Sequence, residues 1–178
     1  MPFFEDFAFD DVPALGGVDS AAFKQGMRLL SAGVTIVTTA IGAQRIGLTA
    51  TAVCSLTAEP AMLLVCVNRE AGAHDPTLQS RIFCVNVLAV QHLDLAMLFA
   101  DRTRVLERFD HGQWGTLATG APVLLDSLAS FDCILGQTLK AETHTVLIGR
   151  VQAVRTSPSL EPLLYANGKF SSFVNGAG

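Results

Sequence analysis

Residues 47–57 read Gly47-Leu48-Thr49-Ala50-Thr51-Ala52-Val53-Cys54-Ser55-Leu56-Thr57, with Glu59-Pro60 just beyond. The pattern predicts a strand over Ile46 to Ala52 that runs into a loop of small residues. Small side chains there let another group approach the backbone closely, and the hydroxyls of Thr49 and Thr51 add hydrogen-bonding groups. Upstream, Val34-Thr35-Ile36-Val37-Thr38-Thr39 is a β-branched run and reads as a strand, with a turn near Gly42 before the next. Downstream, the apolar segments Ala61 to Val67 and Ile82 to Leu88 are two more strands. Between them, Asp75-Pro76 supplies an N-cap and a favoured first helical residue for a short helix ending at Ser80.

The rest of the chain extends this pattern. Ser20 is placed to cap a helix whose stripe is Phe23, Met27 and Leu30, and Gly33 sits where that helix stops. Gln91 to Ala100 predicts a second amphipathic helix with Leu93, Ala96 and Met97 on one side, and 101–120 reads as irregular with a helical turn. Strands resume at Ser127 to Leu139 and His144 to Arg155. A last pair, Leu163 to Tyr165 and Lys169 to Phe173, flanks the turn signal Ala166-Asn167-Gly168. Many strands, few helices and no regular β–α alternation predict a mainly β fold, a barrel with peripheral helices, ahead of a doubly wound sheet. Residues 1–18, with Pro13 and Gly16-Gly17, read as an extended arm before a single domain over 19–175.

Composition narrows the function classes. Half of the 178 residues are hydrophobic and 16% are charged, which permits a large core and leaves apolar surface for a homo-oligomer to cover. A net charge of −4, with basic residues scattered at Lys24, Arg28, Arg45, Arg69, Arg81, Arg102, Arg104 and Arg108, argues against nucleic-acid binding. The acidic, aromatic N-terminus is unlike a signal peptide, and the apolar runs are too short to span a membrane. Cys54, Cys66, Cys84 and Cys133 lack C-x-x-C spacing and read as buried free thiols in a reducing cytoplasm. His74, His92, His111 and His144 show no metal-ligand spacing, and no metal is expected; His92 and His111 read as surface residues. G-x-G-x-x-G, Walker and G-x-S-x-G motifs are absent, as is a carboxylate pair suited to acid–base work.

Five segments, in order, resemble the flavin reductase-like family of FMN-binding split barrels. They are Ala32 to Thr39 with the preceding helix, Gly47 to Thr57, Phe83-Cys84-Val85-Asn86-Val87-Leu88, Thr119 to Leu124 with Ser130-Phe131-Asp132-Cys133, and Thr143-His144. The similarity spans roughly residues 20–173. It implies a flavin site at Thr35, Thr49, Ala50, Thr51, Ala52, Val53, Ser55, Leu56 and Thr57, with Asn68, His74, Arg81 and Phe83 as further contacts. Arg81 also suits a phosphate on electrostatic grounds. The family's Gly-Asp-His or Gly-Thr-His triplet, which lies beside the nicotinamide, reads Glu142-Thr143-His144 here and lacks the glycine. By the same resemblance Gly33, Val34, His144, Tyr165 and Phe170 would meet NADH or NADPH.

The activity so implied is transfer of hydride from NAD(P)H to FMN or FAD, with reduced flavin supplied to a partner monooxygenase. Because the flavin carries the chemistry, no catalytic side chain is expected. Relatives are usually homodimers with flavin near the interface. Two alternatives share the fold: a bound-flavin reductase of another acceptor such as a corrinoid, and a non-catalytic flavin- or haem-binding module.

Overall fold

The computed structural model describes residues 16–157 and 161–173. Most of the expected N-terminal arm, residues 1–15, lies outside them, as do the last two residues of the expected domain.

A seven-stranded antiparallel sheet forms the body. Its strands are β2 (Thr35–Ile41), β3 (Gln44–Ala50), β4 (Val53–Ala58), β5 (Ala61–Asn68), β6 (Ile82–Val87), β9 (Ala129–Ala141) and β10 (His144–Thr156), in the order β3-β2-β6-β9-β10-β5-β4. The two edge strands, β3 and β4, are consecutive in sequence and joined by Thr51-Ala52. The sheet therefore curls until its edges meet at one corner, which is the split barrel. A three-stranded sheet, β1 (Ala32–Gly33), β11 (Leu164–Ala166) and β12 (Lys169–Ser171), and a ribbon of β7 (Trp114–Thr116) and β8 (Pro122–Leu124) complete the β structure. Helices α1 (Ser20–Met27), α2 (His74–Ser80) and α3 (Leu93–Ala100) are peripheral.

Alternation fills the barrel. Leu63, Val65 and Val67 of β5 meet Val37, Val85, Cys133, Leu135 and Leu147 inside, around Phe83. Gly149 makes room for that ring, because a Cβ there would stand 2.3 Å from Phe83 Cζ. Phe83 is thus 0% exposed, and its side chain is core rather than a ligand contact. A second core, Val34, Ile36, Leu88, Leu95, Leu98 and Phe99, lies beneath α3. Gly47 on β3 lets Phe99 lie close, since a Cβ would come 2.8 Å from Phe99 Cε1.

Several boundaries differ from the sequence reading. Asp19 caps α1 by accepting from Ala21 N and Ala22 N, each at 2.8 Å, and Ser20 is the first helical residue. The helix ends at Met27, where Asn167 N donates to the Arg28 carbonyl, and Gly33 lies in β1 instead of capping. The Phe23, Met27, Leu30 stripe faces outward, and α1 buries no residue. Met97 is likewise exposed, α3 burying Leu95, Ala96, Leu98 and Phe99. Strands β1, β4, β7 and β8 are not among those the sequence predicts. Asn167 and Gly168 take φ of 50° and 75°, the left-handed pair that a two-residue hairpin turn requires.

Candidate active site

A cleft of about 1120 Å³ runs past the corner where the barrel edges meet. One wall is β3 from Gln44 to Ala50, continued by Thr51 and Ala52. Asn68 at the end of β5 and His144 at the start of β10 line it together, and the two residues pair across the strands. The Glu70 to Gly72 loop with Pro76 and Gln79 of α2 adds a side, and Phe99, Arg102, Arg108 and Phe109 form another part of the wall.

The corner is the chemically open part. Thr51 and Ala52 are exposed, and their carbonyls accept from Val53 N at 3.1 Å and Cys66 N at 3.0 Å. Neither of their own N–H groups donates within the described residues. Two adjacent backbone donors without bulky neighbours suit a flat ring that presents acceptors along one edge.

The hydroxyls behave differently from the simple reading. Thr35 Oγ1 donates to Ala50 O at 2.7 Å, Thr49 Oγ1 to Ala96 O at 2.6 Å, and Thr57 Oγ1 to Pro60 O. These three hold β3 to its neighbours or close the β4–β5 turn. Thr49, Ala50, Thr51, Ala52, Asn68 and His144 reach the cleft. Val53, Ser55 and Thr57 instead line a separate apolar hollow of about 310 Å³ with Val85, Val87, Phe131, Val151 and Val154. Leu56 is exposed on β4.

Other expected contacts lie elsewhere for identifiable reasons. His74 is buried, with Nδ1 2.6 Å from Asp75 Oδ1 and Nε2 2.9 Å from Thr145 Oγ1, and it ties α2 to β10. Arg81 ends α2 at φ 59° and donates to the Leu135 and Gly136 carbonyls, holding β9 where its register with β10 shifts. Gly33, Val34, Tyr165 and Phe170 are not brought to the cleft. Val34 is wholly buried, Gly33 pairs with Leu164, and the Tyr165 and Phe170 rings pack on each other at 5.2 Å.

His144 remains exposed, its Nδ1 2.9 Å from Thr143 Oγ1. Glu142, which stands where the family's triplet has glycine, takes a left-handed φ of 48°. Cys66 lines the cleft as a neutral thiol, pushed up by burial and then by the nearby Cys54 charge. Cys54 is exposed rather than buried, and His92 is buried rather than at the surface, its Nδ1 accepting from Ala89 N at 3.1 Å.

Sequence reasoning missed the arginines. It found no basic cluster, yet Arg45, Arg102 and Arg108 line the same cleft. Arg108 is 7% exposed and donates to Gly47 O at 2.6 Å and Asp101 O at 2.8 Å. Burial pulls its guanidinium below the ordinary value, and the Asp101 charge partly opposes this. Their positions on β3, after α3 and in the 3₁₀ segment Val105–Asp110 conceal the grouping in the sequence.

The model of the flavin reductase like domain matches residues 27–173. The chain belongs to the flavin reductase-like family. It is 43% identical over 153 residues to the FMN reductase (NADH) RutF of Acinetobacter baylyi, covering 86% of this chain and 81% of that protein. Among solved structures, the NADH:FAD oxidoreductase SgcE6 of Streptomyces globisporus C-1027, in complex with NAD and FAD fragments, is 27% identical with TM-score 0.83. That match covers 90% of this chain and 96% of that one. BorF, the flavin reductase component of a bacterial two-component tryptophan halogenase, is 31% identical with TM-score 0.81, over 89% of this chain and all of that one. Among the described residues no helix is long and apolar enough to cross a membrane.

Proposed function

We propose that this protein is an NADH-dependent flavin reductase that uses FMN and passes reduced flavin to a separate flavin-dependent oxygenase. The observation that carries the reading is the open corner, two free N–H donors on small residues, in a cleft large enough for a flavin with a nicotinamide beside it. Membership of the flavin reductase-like family and the likeness to the Acinetobacter FMN reductase support it. The fit is physical as well as familial, because Ala50 and Ala52 leave the strand backbone approachable and Cys66 is held neutral.

Flavin, when bound, accepts hydride from the reduced nicotinamide. The protein binds, orients and excludes water. Thr51 and Ala52 donate from the backbone, Asn68 and His144 stand together at one side, and Phe99 and Phe109 give apolar walls. FMN is preferred to FAD on the greater likeness to the Acinetobacter enzyme than to the FAD oxidoreductase, and NADH to NADPH because both of those relatives are NADH enzymes by name. Delivery of reduced flavin to a separate oxygenase is supported by the likeness to BorF, the flavin reductase component of a two-component tryptophan halogenase. A homodimer would cover Phe23, Met27 and Leu30 of α1 together with the apolar hollow beside β4. The free cysteines fit a cytoplasmic location.

The test is NADH oxidation by purified protein in air with added FMN. Turnover that depends on both is expected; no acceleration with FMN or FAD, from either NADH or NADPH, would overturn the proposal.

A further inference from the structure

Beside α3 the fold carries a second cavity, of about 460 Å³, which shares no lining residue with the cleft. Asp94, Leu95 and Leu98 of α3 line it, with His92 from the 3₁₀ turn Val90–His92 and Asp126 from just beyond β8. Phe99 and Ala100, further along the same helix, line the cleft instead.

Two polar atoms in the wall of this cavity are left unsatisfied. His92 is 6% exposed, and its Nδ1 accepts from Ala89 N at 3.1 Å. The ring hydrogen is therefore on Nε2, which makes that atom a donor. Nε2 stands 3.2 Å from Asp126 Oδ2 but out of line for a hydrogen bond, and it has no partner among the described residues. Asp126 Oδ1 is likewise buried and unpartnered there. A donor and an acceptor are thus stranded side by side, and each costs free energy unless something in the cavity answers it. A water molecule, at about 30 Å³, would fill only a small part of the space.

The lining also restricts the charge of a ligand. Asp94 joins Asp126 in the wall, and no lysine or arginine pairs with either among the described residues. Arg104, the guanidinium of the lining, is engaged by both carboxylate oxygens of Glu107, and His111 is exposed. An anion would face Asp94 and Asp126, whereas a cation would leave the His92 Nε2–H without an acceptor. Among the described residues no group of three His, Cys, Asp or Glu is arranged to hold a metal ion.

We propose that this cavity is a binding site for a neutral carboxamide carried on an apolar frame, separate from the flavin and nicotinamide cleft. The amide carbonyl accepts from His92 Nε2, an amide N–H donates to Asp126 Oδ1, and the hydrocarbon part lies on Leu95 and Leu98.

Benzamide is the probe, titrated into protein labelled with ¹³C at the leucine methyl groups and ¹⁵N at the histidine rings. The Leu95 and Leu98 methyl resonances should shift saturably, and the His92 nitrogens should report the Nε2–H tautomer. N,N-dimethylbenzamide, which keeps the carbonyl but has no N–H, should bind at least about fivefold more weakly, as should benzoate and benzylamine. Asp126→Ala should weaken benzamide by a similar factor, and its side chain is 46% exposed, so the fold should tolerate the change. The absence of a saturable shift at Leu95 and Leu98, including shifts confined to Thr51 and Ala52 of the cleft, would overturn the site. So would a His92 ring protonated at Nδ1, any of the three comparison ligands binding as tightly as benzamide, or Asp126→Ala binding it like the parent protein. The ligand series on the parent protein decides the matter even if the variant does not fold. The outcome is also independent of whether the protein reduces flavin.

Discussion

Two polar regions of this barrel are built from similar residues and end in opposite states. Around Asn86, every polar group is turned inward and paired. Its Nδ2 donates to Ile36 O at 3.1 Å and Thr38 Oγ1 at 3.2 Å, and its Oδ1 accepts from Leu124 N at 2.9 Å and Ser130 Oγ at 2.8 Å. This knot joins β2, β6, β8 and β9 and is closed to any ligand, for Asn86 and Ser130 are 0% exposed. At the Thr51-Ala52 corner the chain leaves two N–H groups unsatisfied and exposed. The difference teaches how to tell a structural polar residue from a binding one: the first has a complete set of partners inside the fold. The same rule assigns Thr35, Thr49 and Thr57 to the scaffold despite their place in or beside the flavin motif.

The comparison can be broken most forcefully at the knot. Asn86→Leu would strand several buried partners and should cost about 3–4 kcal/mol in urea unfolding. The FMN affinity of the remaining folded protein should stay within about twofold; a selective loss of affinity would make the knot functional. Ala52→Trp is the converse. It should lower FMN affinity about tenfold or more while changing stability by roughly 0.5 kcal/mol or less. If it unfolds the chain and spares binding, the corner is structural.

His144→Ala sharpens the functional side, because His144 lines the open cleft without an inward partner beyond Thr143. Its KM for NADH should rise about fivefold and its KM for FMN by less than about twofold; the reverse pattern would move His144 from the nicotinamide to the flavin. The smallest effect belongs to Glu142→Gly. Glu142 sits at φ 48°, where glycine is free of Cβ strain, and the change should stabilise the chain by about 0.5–1 kcal/mol in thermal unfolding. Steady-state kinetics should not move, since Glu142 already holds the left-handed backbone that glycine favours.

The barrel was legible in the sequence where strands are β-branched or apolar: Val34 to Thr39, Ala61 to Val67 and Ile82 to Leu88 fall within a residue or two of β2, β5 and β6. Strand β4 was not, because Cys54 to Thr57 is an exposed edge with neither alternation nor an apolar run. The corner of the site was legible too, since small residues between two strands mark a place of close approach. The hydroxyl partners were not, as Thr49 donates to Ala96 on a helix far along the chain. His92 looked like a surface residue, yet the turn before α3 folds it inward onto the Ala89 N–H. The arginine grouping was hidden most completely, for it exists only once α3 and the following 3₁₀ segment pack on β3.

The central claim is that the Thr51-Ala52 corner is left open for flavin. The most direct measurement is the amide spectrum of the 18.9 kDa chain during titration with FMN. The Thr51 and Ala52 N–H resonances should shift strongly and gain protection from hydrogen exchange, while the Asn86 side-chain amide stays where it is. Saturation with FMN that leaves Thr51 and Ala52 unshifted and unprotected would contradict the account.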